Sequence, residues 1–274
     1  MNWLNFNGKI VAENEPIFTA SNRGFKYGDG IFETIKVTSG KICLDLFHFE
    51  RLRNSLQLLQ LNSDLFTNNF LEKSIIHLCL KNNCEASARI RLAVYREERT
   101  KASFILEAIP LKNEITEWNE TGWKLGVYPL ARKSCDAFAN LKSANFLPYL
   151  MAQSYALEMD CDEMLVLNSH DNIADGSKTN LFFIKEKEVY TPSLQEGCVA
   201  GVMRRAVIEE CNKLLIPTHQ TAISPAMVAD ADDVFITNAI QGIKWVSQFN
   251  QKKYLGMEAR MLYQKLVKSN FNFN

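Results

Sequence analysis

A lysine, Lys142, stands in Leu141-Lys142-Ser143-Ala144-Asn145-Phe146-Leu147-Pro148, a short polar step that opens an apolar helix. A lysine amine attacks carbonyl carbons and, once deprotonated, serves as a base. Further on, Ile173-Ala174-Asp175-Gly176-Ser177-Lys178-Thr179-Asn180 places an acid in a turn before a strand. Ala200-Gly201-Val202-Met203-Arg204 opens another helix, where backbone N–H groups and the helix dipole favour an anion and glycine permits close approach. Thr237-Asn238-Ala239, at the end of the Val234-Phe235-Ile236 strand, offers a second set of amides. Arg51, in Phe47-His48-Phe49-Glu50-Arg51-Leu52, lies off its helix's leucine stripe, which suits a directed contact. Arg89, Arg91 and Arg96 surround a strand whose other face is apolar, and arginine is the cation that grips a carboxylate bidentately. Phe32 and Tyr27, near the Gly28-Asp29-Gly30 turn, read as pocket walls or core, and His48 as structural or solvent-facing. Singly, each has a plain reading: a solvated lysine, an Asp-Gly turn, a solvated arginine, a glycine before a helix.

The elements that would position these residues follow from periodicity. Asn7-Gly8 centres one hairpin between Trp3 and Val11, and Ser39-Gly40 a second between Ile31 and Leu44. Leu46, Phe49, Leu52, Leu56 and Leu59 recur at helical spacing, and a second helix is expected from about 68 to 80. Alternation at Ala88, Ile90, Leu92 and Val94, then Ser103 to Ile109, predicts two strands. The polar stretch Leu111 to Gly122 predicts a linker, giving domains 1–113 and 123–274 joined by 114–122. In the second, strands are expected near 124–129, 163–168, 180–184, 233–237 and 243–249, and helices over 146–159, 202–214, 225–229 and 256–268. Ser224-Pro225 is a clean helix start, a cap followed by proline.

With Lys+Arg and Asp+Glu equal at 31 each, no net field draws nucleic acid or an anionic membrane. No apolar run approaches the length of a membrane span, and the first eight residues lack a basic start followed by an apolar stretch. Seven scattered cysteines without a Cys-x-x-Cys, and four scattered histidines, predict reduced thiols, no metal site and a cytoplasmic protein.

Read together with Asn22-Arg23-Gly24-Phe25-Lys26-Tyr27-Gly28-Asp29-Gly30-Ile31-Phe32-Glu33-Thr34, these segments resemble the class IV aminotransferase family, the fold-type IV enzymes that use pyridoxal 5′-phosphate (PLP). The resemblance covers nearly the whole chain in the family's order. It implies a two-domain α/β (mixed α+β) fold with the cofactor at the interdomain cleft, and a homodimer. Lys142 would form the Schiff base and move the α-proton, and Asp175 would face the pyridine nitrogen. Arg51, Gly201, Val202, Met203, Asn238 and Ala239 would hold the phosphate, and Arg96 and Phe32 the substrate. The chain departs from the family's pattern at Asp175, usually glutamate, at Met203, usually threonine, and at Glu97-Glu98-Arg99, where glycine often follows. The expected function is transfer of an amino group between a small amino acid and a 2-oxo acid. The alternative is a 4-amino-4-deoxychorismate lyase, to which Val189-Tyr190-Thr191-Pro192 and Ile236-Thr237-Asn238-Ala239-Ile240 are similar. A non-catalytic member that only binds is the reading from another class.

Overall fold

The computed structural model describes residues 2–62 and 64–271. The chain divides into two compact units, each described by itself.

The first unit runs to Ile115 and also includes the short segment Lys142–Asn145. Strands β1 (Trp3–Phe6) and β2 (Lys9–Ala12) join through Asn7 and Gly8, whose φ angles of 50° and 91° are those a tight hairpin demands. A short helix α1 (Arg23–Tyr27), capped by the Asn22 side chain, precedes β3 (Gly30–Thr38) and β4 (Lys41–Ile42). Helices α2 (Asp45–Leu58) and α3 (Asn68–Lys81) follow, then the long strands β5 (Ser87–Glu98) and β6 (Lys101–Pro110). The sheet order is β2-β1-β6-β5-β3-β4, antiparallel throughout.

Two-residue alternation sorts this sheet's faces. Ile35, Val37, Ile90, Leu92 and Val94 pack with Phe49, Leu52 and Leu56 of α2 and Leu71, Ile75 and Leu78 of α3. Each such fully buried side chain contributes about 1.5–3 kcal/mol. The opposite face carries Phe32, Thr34 and Lys36, in register with Ala93, Arg91 and Arg89. Glu33, one residue out of phase with Phe32, is therefore an acid on the helix-covered side.

The second unit covers Thr116–Leu141 and residues 146–270. Its elements are β7 (Trp123–Lys133), α4 (Leu147–Glu158), β8 (Glu163–Asn168), β9 (Ile173–Gly176), β10 (Asn180–Lys185), β11 (Glu188–Pro192), α5 (Val202–Lys213), β12 (Thr218–Thr221), α6 (Pro225–Ala229), β13 (Asp233–Asn238), β14 (Gly242–Phe249), β15 (Lys252–Lys253) and α7 (Met257–Phe271). The sheet order is β12-β11-β10-β13-β14-β7-β8-β9, with β15 paired to β14. Parallel pairs β11/β12, β14/β7 and β7/β8 make it mixed. Phe183, Leu181, Val234, Ile236, Val246 and Phe249 form much of its core.

The segment expected as a linker is not loose. A 3-10 turn at Asn113–Thr116 leads to Trp118, which stacks on Trp245 at 6.0 Å, while the Trp245 indole N–H donates to the Asn119 carbonyl at 2.6 Å. The last three residues of the expected 123–274 domain lie outside the described residues. No helix among the described residues is long and apolar enough to cross a membrane.

Candidate active site

Lys142 sits before α4, in an extended stretch fastened to β3. The Phe32 N–H donates to the Lys142 carbonyl and the Ala144 N–H to the Gly30 carbonyl, both at 2.9 Å, and Ile31 and Ser143 form an antiparallel bridge. Asn145 lies so close to Gly28 that a Cβ there would meet its Oδ1 at 2.6 Å; Gly28 also has φ of 61°. That position needs glycine twice over, for space and for conformation. The Lys142 Nζ rests 4.4 Å from the Phe32 ring centroid, so a rigid strand, not a mobile loop, sets the amine's place.

Arg51, expected at the phosphate, forks onto Glu33, with Nε on Oε1 at 2.8 Å and Nη2 on Oε2 at 2.5 Å. His48 Nδ1 lies 2.6 Å from the same Oε2. Burial alone would push the Glu33 carboxyl up, but the Arg51 guanidinium and His48 outweigh it and bring it down to about 2. The ionised Glu33 carboxylate can accept the Nδ1 hydrogen of His48, whose buried Nε2 has no hydrogen-bond partner. His48 is fully buried, which removes its solvent-facing reading and leaves the structural one. Burial holds its pKa below the usual value.

Arg96, expected at the substrate, is committed within the protein. Its Nε contacts Asp29 at 3.1 Å, Nη2 donates to the Leu59 carbonyl at 2.8 Å, and Nη1 to the Arg99 carbonyl. Arg91 stands differently: its guanidinium carbon lies 4.1 Å from the centroid of Phe32, the same ring that Lys142 approaches. Phe32 is buried and Tyr27 exposed.

In the second unit, α5 starts at Gly201 with no side-chain cap, so its first turn offers backbone N–H groups to an anion. Asn180 donates to the Val199 carbonyl at 3.0 Å, and its Oδ1 fills the space a Cβ on Gly201 would take. Asn180 pairs across strands with Thr237, so the two side chains share a face, and the buried Thr237 Oγ1 has no hydrogen-bond partner. An uncapped helix start beside an orphaned hydroxyl fits a phosphate. Val202 and Met203 are buried, so their side chains serve the core and only their amides face this chemistry. The Asn238 side chain is spent on its own turn, accepting from the Ile240 and Gln241 N–H groups at 3.0 and 2.8 Å; Ala239 lies within that turn.

Asp175 lies in β9, opposite Val166, and not in the turn expected before a strand. Pairing with β8 satisfies backbone groups that an Asp-Gly turn would leave buried and unpaired. Its carboxylate accepts from the Tyr149 hydroxyl (2.9 Å to Oδ1), the Val199 N–H (2.8 Å to Oδ2) and the Lys133 ammonium (3.4 Å to Oδ2). Glu33 and Asn180 lie inside the segments that the sequence singles out, yet sequence reasoning assigns them no role, and it credits Thr237 only with its backbone. Tyr149 and Lys133 carry no local signal, because only the fold brings them to Asp175.

Residues 30–249 match the family described as amino-transferase class IV. The aminodeoxychorismate lyase of Bacillus subtilis (strain 168) is 25% identical over 278 residues, covering 96% of this chain and 94% of that enzyme. The D-alanine aminotransferase of Staphylococcus epidermidis is 23% identical over 277 residues, covering 96% of this chain and 95% of that enzyme. Among solved structures, a hypothetical aminotransferase from Mycobacterium tuberculosis, in its PLP-bound form, superposes with a TM-score of 0.86 at 15% identity, covering 98% of this chain and 99% of that one. With four-fifths of its length matched to that family model, the chain belongs to the class IV aminotransferase family.

Proposed function

We propose that the protein is a PLP-dependent aminotransferase that moves an amino group between a small amino acid and a 2-oxo acid. One observation carries the reading most: Lys142, the amine that the family resemblance points to, is pinned to β3 by paired backbone hydrogen bonds. When bound, PLP supplies an aldehyde and an electron-accepting ring. Lys142 would join that aldehyde and later carry the proton leaving the substrate's α-carbon. The first-turn N–H groups at Gly201, Val202 and Met203, the Thr237 hydroxyl and the backbone around Asn238 and Ala239 would hold the phosphate, with Arg51, oriented by Glu33, as its cation. Asp175 would hold a proton at the ring nitrogen. Arg91 is the better-placed substrate cation, and Arg96 shapes the end of β5.

The lyase reading keeps a specific support, the B. subtilis aminodeoxychorismate lyase matched across nearly the full chain. The two separate on one requirement. A transaminase turns over only with a 2-oxo acid present to accept the amino group. The lyase releases pyruvate from 4-amino-4-deoxychorismate with no 2-oxo acid added. Amino transfer that depends strictly on an added oxo acid is the expected result; pyruvate without one selects the lyase, and neither reaction overturns both.

Gly201→Ala should test the cradle. Its new methyl meets Asn180, so overpacking of about 1–3 kcal/mol is expected, together with weaker PLP retention. A PLP dissociation constant equal to wild type would remove this loop from the cradle.

The family resemblance implies a homodimer, and the twofold is the commonest symmetry of soluble oligomers. Sedimentation should show a dimer at micromolar concentration; a fully active monomer would contradict it. The seven cysteines, all unpaired, fit a reducing cytoplasm.

A further inference from the structure

Asp175 is one methylene shorter than the glutamate usual at its place, and three elements close around it. Tyr149 comes from the first turn of α4, Lys133 from the end of β7, and the Val199 N–H from the chain before α5. The Tyr149 hydroxyl reaches both carboxylate oxygens, at 2.9 and 3.1 Å, and Lys133 Nζ lies 3.4 Å from Oδ2 and 5.3 Å from the Tyr149 ring centroid. Asp175 is 1% exposed and the Lys133 side chain 13%, so solvent screens this pair little. Burial, then Asp175 itself, raises the Tyr149 pKa well above its usual value, so the phenol stays a donor. Cys198 also faces the group, but burial pushes its thiol up to about 11 and it stays uncharged. Arg204 acts on Cys198 and donates to Pro192 and Gln220, not to Asp175.

We infer that Lys133 and Tyr149 are positioning residues that fix the short Asp175 carboxylate, and that the Lys133 charge weakens its hold on a proton at the cofactor's ring nitrogen. The inference rests on the PLP reading above. Two donors and an ammonium draw electron density from both oxygens, so the acid binds a fourth partner less strongly than a bare carboxylate would. An opposite charge a few ångströms away shifts a proton equilibrium by roughly one to three units when screening is low.

The test is nitrogen NMR of the protein loaded with PLP labelled at the ring nitrogen, whose chemical shift reports its protonation across pH. Removing the ammonium in Lys133→Met should raise the midpoint at which the ring nitrogen loses its proton, on the order of one pH unit or tenfold in proton affinity. Lys133→Arg should restore the wild-type midpoint. Tyr149→Phe, which removes a dipole and not a charge, should raise it by less. An unchanged or lowered midpoint in Lys133→Met, with label bound, overturns the inference whatever Tyr149→Phe does. Failure of wild-type protein to retain the labelled PLP would instead defeat the PLP reading, so the two failures are distinguishable.

Discussion

Lys142→Ala should yield a folded protein with turnover lowered by at least about 10²–10⁴-fold, the contribution of a positioned proton-transfer group alone. Folding should survive because Lys142 is tied to β3 through its backbone carbonyl, which alanine keeps. PLP should also remain bound, since the phosphate contacts proposed at α5 and Thr237 do not involve the amine. Equilibrium dialysis and steady-state kinetics on one preparation check both halves. Wild-type turnover would remove Lys142 from the chemistry, and loss of all PLP binding would mean that the phosphate is held elsewhere.

Glu33→Gln should be the most destabilising conservative change in the first unit. It leaves the Arg51 guanidinium and His48 without the carboxylate they share, and breaking one side of a buried pair costs about 3–5 kcal/mol. The acid dependence is more specific. With its pKa lowered from 4.5 to about 2, Glu33 contributes stability that is fully present above pH 4.5 and lost as pH falls toward 2. His48, held below its usual 6.5, adds an earlier slope, because the unfolded chain takes up its proton first. Wild type should therefore lose stability in two stages on acidification. The variant should keep the upper stage and lack the Glu33 contribution to the lower one. Urea unfolding across pH measures this, and an equally steep lower stage in both proteins would contradict the Glu33 assignment.

Much of the architecture is legible in the sequence because local chemistry and tertiary packing agree. Asn7-Gly8 and Ser39-Gly40 turn where positive φ is required, and Ser224-Pro225 starts α6 as a cap followed by proline should. Strand β8 is legible because six apolar-rich residues run between a turn and a polar step. Strands β9, β11, β12 and β15 escape a reading by periodicity: they are two to five residues long, and β9 includes Asp175-Gly176, which reads locally as a turn. Its strand character comes from β8, a partner outside its own segment.

Site residues divide on the same physical line. Lys142, Asp175 and Gly201 lie in ordered segments that can be matched by eye. What each side chain touches is not visible there. The Glu33 fork on Arg51 needs β3 and α2 to pack, and alternation offers no reason to expect an acid on the helix-covered face. Arg96 is held by Asp29, Leu59 and Arg99 beside a register shift near the end of β5, and only the Arg99 contact is local in sequence. Lys133 and Tyr149 belong to different elements from Asp175, so spacing along the chain holds no trace of their meeting.

The central claim is that Lys142 is the amine that joins the cofactor. Borohydride reduction of the PLP-loaded protein, followed by proteolysis and mass spectrometry, locates the attachment directly. The account predicts a single phosphopyridoxyl group on the peptide carrying Lys142, absent from the Lys142→Ala variant. A label on another lysine, or a protein that binds PLP and yields no reducible adduct, would contradict it.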